Sequence, residues 1–161
     1  MAAERQALSV DHLEFLNADD VSQIANGKTV AVMLPGAFYV LRETQLPPIE
    51  ALRSLGVPMA VASDCNPGSS PVSSLLMSMN MACTLFNLTP FETLMGTTRN
   101  AAQALGVSHD TGTIEAGKDA DITIWDIAEP AALSYHIGYN PCIASMSNGK
   151  WLKRPVEGAL S

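Results

Sequence analysis

Residues 57–70 read VPMAVASDCNPGSS, and the fold turns on this stretch. Its first part, 57–63, is a short apolar run bounded by turn formers, the pattern of a strand buried on both faces. The run delivers Asp64 and then a polar turn, Asn66-Pro67-Gly68-Ser69-Ser70. Upstream, 29–34 (TVAVML) is a second such run, stopped by Pro35-Gly36, and 8–10 is a shorter one that ends at Asp11-His12. Helical patterns lie between them. Asn17 or Asp19 can cap a helix over about 19–26 with Asn26-Gly27 at its end, and 48–54 starts with Pro and is closed by Gly56. Strands alternating with helices predict βα units and a parallel sheet.

Downstream, Val72, Leu75, Leu76, Met79, Cys83 and Phe86 recur at helical spacing behind Pro71, which is placed at a first helical position. Thr89-Pro90-Phe91-Glu92 fits a capping box with Pro at the first position, opening a helix that runs to Leu105 and stops at Gly106. The texture then changes. Glycine turns precede an alternating strand at 122–127, and Asn148-Gly149 joins 143–147 to 150–152 as a hairpin. An α/β part to about residue 107 is therefore followed by a small β part, too short to bury its own apolar face unaided.

The 161 residues suffice for one domain, and 47% apolar against 16% charged excludes intrinsic disorder. A net charge of −7 with no basic run argues against nucleic acid as a partner. No run approaches the ~18–20 apolar residues that span a bilayer, so no membrane partner is expected. The N-terminus has no signal-peptide core, and three well-separated cysteines (Cys65, Cys83, Cys142) read as reduced thiols in a cytoplasmic protein.

In parallel α/β folds, sites form at the carboxyl ends of the strands. The turn after 57–63 is the richest such end: a carboxylate, an amide, and a glycine that lets backbone approach a ligand. It is read as running into a helix N-terminus, which favours an anion. Local pattern leaves two readings open, a ligand-binding turn or a turn that Asp64 and Asn66 merely stabilise. His12, alone after a short apolar run, reads more readily as structural than as catalytic. His109 and His136 read as surface or packing residues, and Met77, Met79 and Met81 as core filling. Cys65 has no base near it in sequence.

Two further stretches, Thr97–Ala102 with Leu105-Gly106 and then GTIEAGKDAD (112–121), resemble the C-terminal signature of the amidohydrolase superfamily. More narrowly, SVDHLE, LPGAFYVLRETQLPPI, SDCNPGSSP and MNMACTLF together resemble the imidazolonepropionase family, from about Leu8 to Lys153. The resemblance implies an α/β fold: the C-terminal portion of a (β/α)8 TIM-like metal-dependent hydrolase barrel plus strands of a small β-sandwich domain. Residues 1–107 would be barrel strands six to eight with their helices, and 108–161 strands of the composite β domain.

It implies hydrolysis of 4-imidazolone-5-propanoate to N-formimidoyl-L-glutamate with one divalent metal, zinc or iron. Asp64 matches the family's strand-eight metal ligand and proton carrier, and His12 a histidine beside the reacting carbonyl. Asn66 and Gly68 match positions that contact the product, and Ser69 one that contacts the substrate. The family's other ligands, a His-x-His pair and a further His, have no counterpart here, since the sequence contains no His-x-His. The segment is thus expected to be part of a longer enzyme or a truncated product. Its expected partners are a small-molecule substrate, the missing N-terminal part, and a second copy, since the family tends to dimerise. Other cyclic-amide hydrolases of the superfamily and a non-catalytic chain are the competing readings.

Overall fold

The computed structural model describes residues 5–155. Three short parallel strands, β1 (Ser9–Asp11), β2 (Val30–Met33) and β3 (Met59–Val61), form one sheet in that order. The register aligns Val10, Ala31 and Met59 across the sheet, and Asp11, Val32 and Ala60 in the next row. Since side chains alternate along a strand, these rows point to opposite faces. The first row, with Met33 and Val61, packs into the main core. The second row includes the exposed Asp11 and the half-buried Val32.

The helices that cover the core face follow from their end signals. In α1 (Ala18–Gly27), Asn17 caps the start by accepting the Asp20 N–H, and Lys28 ends it in the left-handed region at φ +54°. Val21 and Ile24 of this helix, with Ile49 and Leu52 of α3 (Ile49–Ser54), meet β2 and β3 in the core. Between β2 and α3, Pro35-Gly36 does more than stop a strand: it opens a further helix, α2 (Pro35–Val40). Proline's fixed φ suits the first helical turn, so one residue ends β2 and starts α2.

Two expected helix bounds shift. α4 (Leu75–Phe86) begins at a Ser74 cap that accepts the Met77 N–H, four residues beyond Pro71. Its Met79 and Met81 are buried, as core filling predicts, and Met77 is partly so. The capping box of α5 (Pro90–Thr97) forms as expected, with Glu92 and Thr89 bonding each other's backbone N–H. The helix then breaks at Thr98 (φ −124°, ψ −97°), and α6 (Arg99–Ala104) continues separately to Gly106. The hydroxyls of Thr97 and Thr98 donate to carbonyls one turn back, Thr93 and Leu94, which bends helices.

α5 lies directly on β3. A methyl group on Gly96 would stand 3.2 Å from the Met59 carbonyl oxygen and 3.2 Å from the Val61 nitrogen, so glycine eases this close approach. On α6, the buried Asn100 side chain donates to the same Met59 carbonyl at 2.9 Å. Asn100 thus joins α6 to the edge of the sheet.

The remaining strands, β4 (Ile122–Trp125), β5 (Cys142–Ser147) and β6 (Lys150–Lys153), form an antiparallel sheet with the short α7 (Ala132–Tyr135) between the first two. The expected hairpin is present, with Asn148 and Gly149 both at positive φ. The GTIEAGKDAD stretch ties this sheet to the helices. Lys118 donates to the Ser108 carbonyl (2.8 Å) and the Thr113 hydroxyl (2.6 Å), while Asp121 accepts from Ser147 (2.9 Å) and the Asn148 N–H (2.8 Å). The Asn148 N–H leads the causes that hold the Asp121 carboxyl below its ordinary range.

Candidate functional site at the strand ends

All three parallel strands point their carboxyl ends the same way, and Asp11-His12, Pro35-Gly36 and the loop from Asp64 follow from that edge. β1 and β3 flank β2, so the strands carrying His12 and Asp64 stand two spacings apart, about 10 Å. Both residues have left-handed backbones, His12 at φ +54° and Asp64 at φ +48°. Non-glycine residues in this region are uncommon and cluster where the surroundings over-determine them.

The loop after β3 is closed by its own side chains. Asn66 is the hub: its Nδ2 donates to the Asp64 carbonyl (2.7 Å), the Ser69 hydroxyl (3.1 Å) and Asp64 Oδ2 (3.3 Å). Its Oδ1 accepts the N–H groups of Gly68 (2.9 Å) and Ser69 (2.8 Å). At the base, the Asn66 N–H donates to the Ser70 carbonyl (2.9 Å), forming a single antiparallel bridge. Asp64, Asn66, Gly68 and Ser69 therefore come together in one turn, with His12 at the next strand end but one.

The expected anion cradle takes another form. The loop does not run into a helix N-terminus: α4 starts at Leu75, beyond a stretch with no regular structure. The Gly68 and Ser69 N–H groups are occupied by Asn66. What the turn offers a ligand is the exposed Gly68 backbone, the half-buried Ser69, and the half-buried carboxylate of Asp64.

Among the described residues, no three His, Cys, Asp or Glu side chains gather as a metal-holding group. A metal ion needs at least three protein donors in a catalytic site of this kind. Asp64 can offer one, and the chain's described residues do not complete the set. The other titratable candidates lie elsewhere. His109 is exposed beside Asp110 at 2.9 Å, and His136 is exposed between Tyr135 and Tyr139. Burial pushes the Cys83 thiol up, which disfavours a thiolate nucleophile.

A cleft of about 950 Å³ opens between α4, α5, α6 and the small sheet, lined by residues such as Leu76, Met79, Leu94, Ile122 and Trp125. Neither Asp64 nor His12 lines it. One residue of the strand-end site has no signal in the local pattern: Ser70, fully buried, donates its hydroxyl to the Ser63 carbonyl at 2.6 Å.

The family model described as "Amidohydrolase family" matches residues 5–157. The chain belongs to the amidohydrolase family. Among its curated relatives, an imidazolonepropionase from Psychrobacter cryohalolentis is 58% identical over 151 residues, covering 94% of this chain and 35% of that protein. An imidazolonepropionase from Rhizorhabdus wittichii is 59% identical over 141 residues, covering 88% of this chain and 35% of that protein. The amidohydrolase chain thus spans little more than a third of the length of the curated relatives it matches.

Solved structures agree on the fold. An adenosine deaminase from Xanthomonas campestris with bound zinc superposes with a TM-score of 0.74 at 22% identity, covering 90% of this chain and 36% of that one. A variant of atrazine chlorohydrolase from Arthrobacter aurescens, complexed with zinc and atraton, gives 0.78 at 22% identity, covering 94% and 38%. The fold is α/β and corresponds to a portion of the amidohydrolase barrel with strands of the accompanying β domain.

Proposed function

We propose that this amidohydrolase segment is the C-terminal part of an imidazolonepropionase, which hydrolyses 4-imidazolone-5-propanoate to N-formimidoyl-L-glutamate in histidine degradation. The observation that carries the reading is 58% identity to a protein of that name over 94% of the chain, through the Asp64–Ser70 loop. In this reading residues 1–107 belong to the barrel and 108–161 to the composite β domain. The enzyme is cytoplasmic and takes one zinc or iron ion. Asp64 contributes one ligand to it, and the other ligands lie outside this segment.

The chemistry asks a water molecule to attack the ring carbonyl carbon, followed by cleavage of the ring C–N bond. A carboxylate at Asp64 takes the proton from that water and returns it to the departing ring nitrogen, so protons balance over the cycle. His12 polarises the carbonyl from the neighbouring side of the strand ends. Asn66 and Gly68 contact the formimidoyl-glutamate product, and Ser69 the substrate.

The test is a chimera in which this segment replaces the matching residues of the Psychrobacter cryohalolentis relative. The chimera should produce N-formimidoyl-L-glutamate. Asp64→Asn in it should lower kcat by at least about a thousandfold while the protein stays folded. Turnover retained by the variant would remove Asp64 from its role. A chimera inactive on this substrate but active on another cyclic amide would favour a different amidohydrolase.

A further inference from the structure

We propose that Ser70 is a positioning residue: its buried hydroxyl sets the backbone of Asp64 and thereby aims the carboxylate. The inference rests on the reading of Asp64 given above.

The backbone direction at a residue is fixed by the peptide groups on either side of it. Before Asp64, the Ser63 carbonyl accepts the Ser70 hydroxyl at 2.6 Å. After it, the Asp64 carbonyl accepts Asn66 Nδ2 at 2.7 Å. Both peptide planes around Asp64 are thus pinned by side chains, and Asp64 is held at φ +48°, a left-handed conformation that aspartate adopts when local hydrogen bonds support it. Releasing one plane lets the backbone relax toward ordinary φ, which swings the carboxylate away.

Ser70 is itself held in place. It is fully buried, its own carbonyl accepts the Asn66 N–H at 2.9 Å, and α2 presses on it from the adjoining strand end. A methyl group on Gly36 would stand 2.5 Å from Ser70 Oγ, closer than atoms can approach. Glycine at 36 leaves room for the hydroxyl, linking the β2 end to the β3 end through one contact.

The two bonds of Ser70 separate its effects. Alanine at 70 keeps the backbone carbonyl that holds Asn66 and loses only the hydroxyl that holds the Ser63–Asp64 peptide. Ser70→Ala should therefore act on the chemical step through Asp64 and spare the binding contacts of Asn66, Gly68 and Ser69.

In the chimera, Ser70→Ala should lower kcat by about tenfold to a hundredfold with KM within about twofold, as a misplaced catalytic group does. Gly36→Ala, which pushes on the hydroxyl from the other side, should reproduce the drop in kcat. A crystal structure of Ser70→Ala should show Asp64 outside the left-handed region. Unchanged kcat per folded site in Ser70→Ala, or Asp64 still left-handed in its structure, overturns the proposal. Asp64→Asn keeps the two claims apart. Full activity there sinks the reading of Asp64 itself, whereas its inactivity beside an unaffected Ser70→Ala overturns only the positioning role.

Discussion

Asn66 shows how one side chain can serve two purposes at once. The amide satisfies the turn, accepting two N–H groups and donating to the Asp64 carbonyl, as the turn-stabilising reading of the D-x-N-P-G pattern expects. In doing so it fixes the half-buried Ser69 and the exposed Gly68 at the rim of the strand-end site, so the two readings are compatible. Asn66→Ala in the chimera should raise KM and weaken product inhibition by about tenfold, the worth of one good hydrogen bond, and should also lower kcat because it frees the Asp64 carbonyl. Unchanged kinetics would take Asn66 out of the site. Asp64 and Asn66 were legible because a carboxylate and an amide directly follow an apolar strand. Ser70 was not, because burial of its hydroxyl depends on Gly36, which is distant in sequence.

Among the elements, α5 shows both what pattern reveals and what it hides. Thr89, Pro90 and Glu92 announce the helix start, and the structure forms that capping box. The same Glu92 carboxylate also takes Arg53 of α3, with Nε donating at 2.7 Å and Nη2 at 3.0 Å, a pairing only the tertiary fold creates. The Arg53 hydrogen bonds are the main reason the Glu92 carboxyl falls from 4.5 to about 2, against the opposing effect of burial. Because the folded state prefers the carboxylate, this stabilisation is complete above the ordinary value of 4.5 and is lost as pH falls toward about 2. Glu92→Gln should reduce the urea midpoint at pH 6 by an amount worth roughly 1 kcal/mol and narrow its gap to the wild type between pH 4.5 and 2. A constant gap across that window would contradict the linkage.

Other element bounds were masked by residues with two meanings. Pro35 terminates β2 and begins α2, so reading it only as a stop loses a helix. Pro71 suits a helix start, yet Ser70 is committed to the Ser63 carbonyl and no helix forms until Ser74 caps α4. The break at Thr98 is set by hydroxyl bonds to carbonyls one turn back. Just beyond it, Gly112 packs closely on α6, where a methyl group would stand 2.5 Å from the Ala102 Cβ.

For the whole molecule, the decisive fact is a site that is partly built. The described residues contain three parallel strands, with β1 and β3 as sheet edges and a half-buried Val32 on the face opposite the main core. Three strands do not close a barrel. The parallel sheet was readable from βα alternation, and the family from the GTIEAGKDAD stretch and the motifs around the strand ends. A full set of metal donors could not be read from it, and the structure brings none together among the described residues.

The most direct test compares this 161-residue chain with the chimera, both supplied with zinc or iron and 4-imidazolone-5-propanoate, following N-formimidoyl-L-glutamate. Turnover by the chimera and none by the chain alone is the predicted result. Turnover by the chain alone at the chimera's rate would contradict the account, because Asp64 would then be working without the ligands that this segment does not supply.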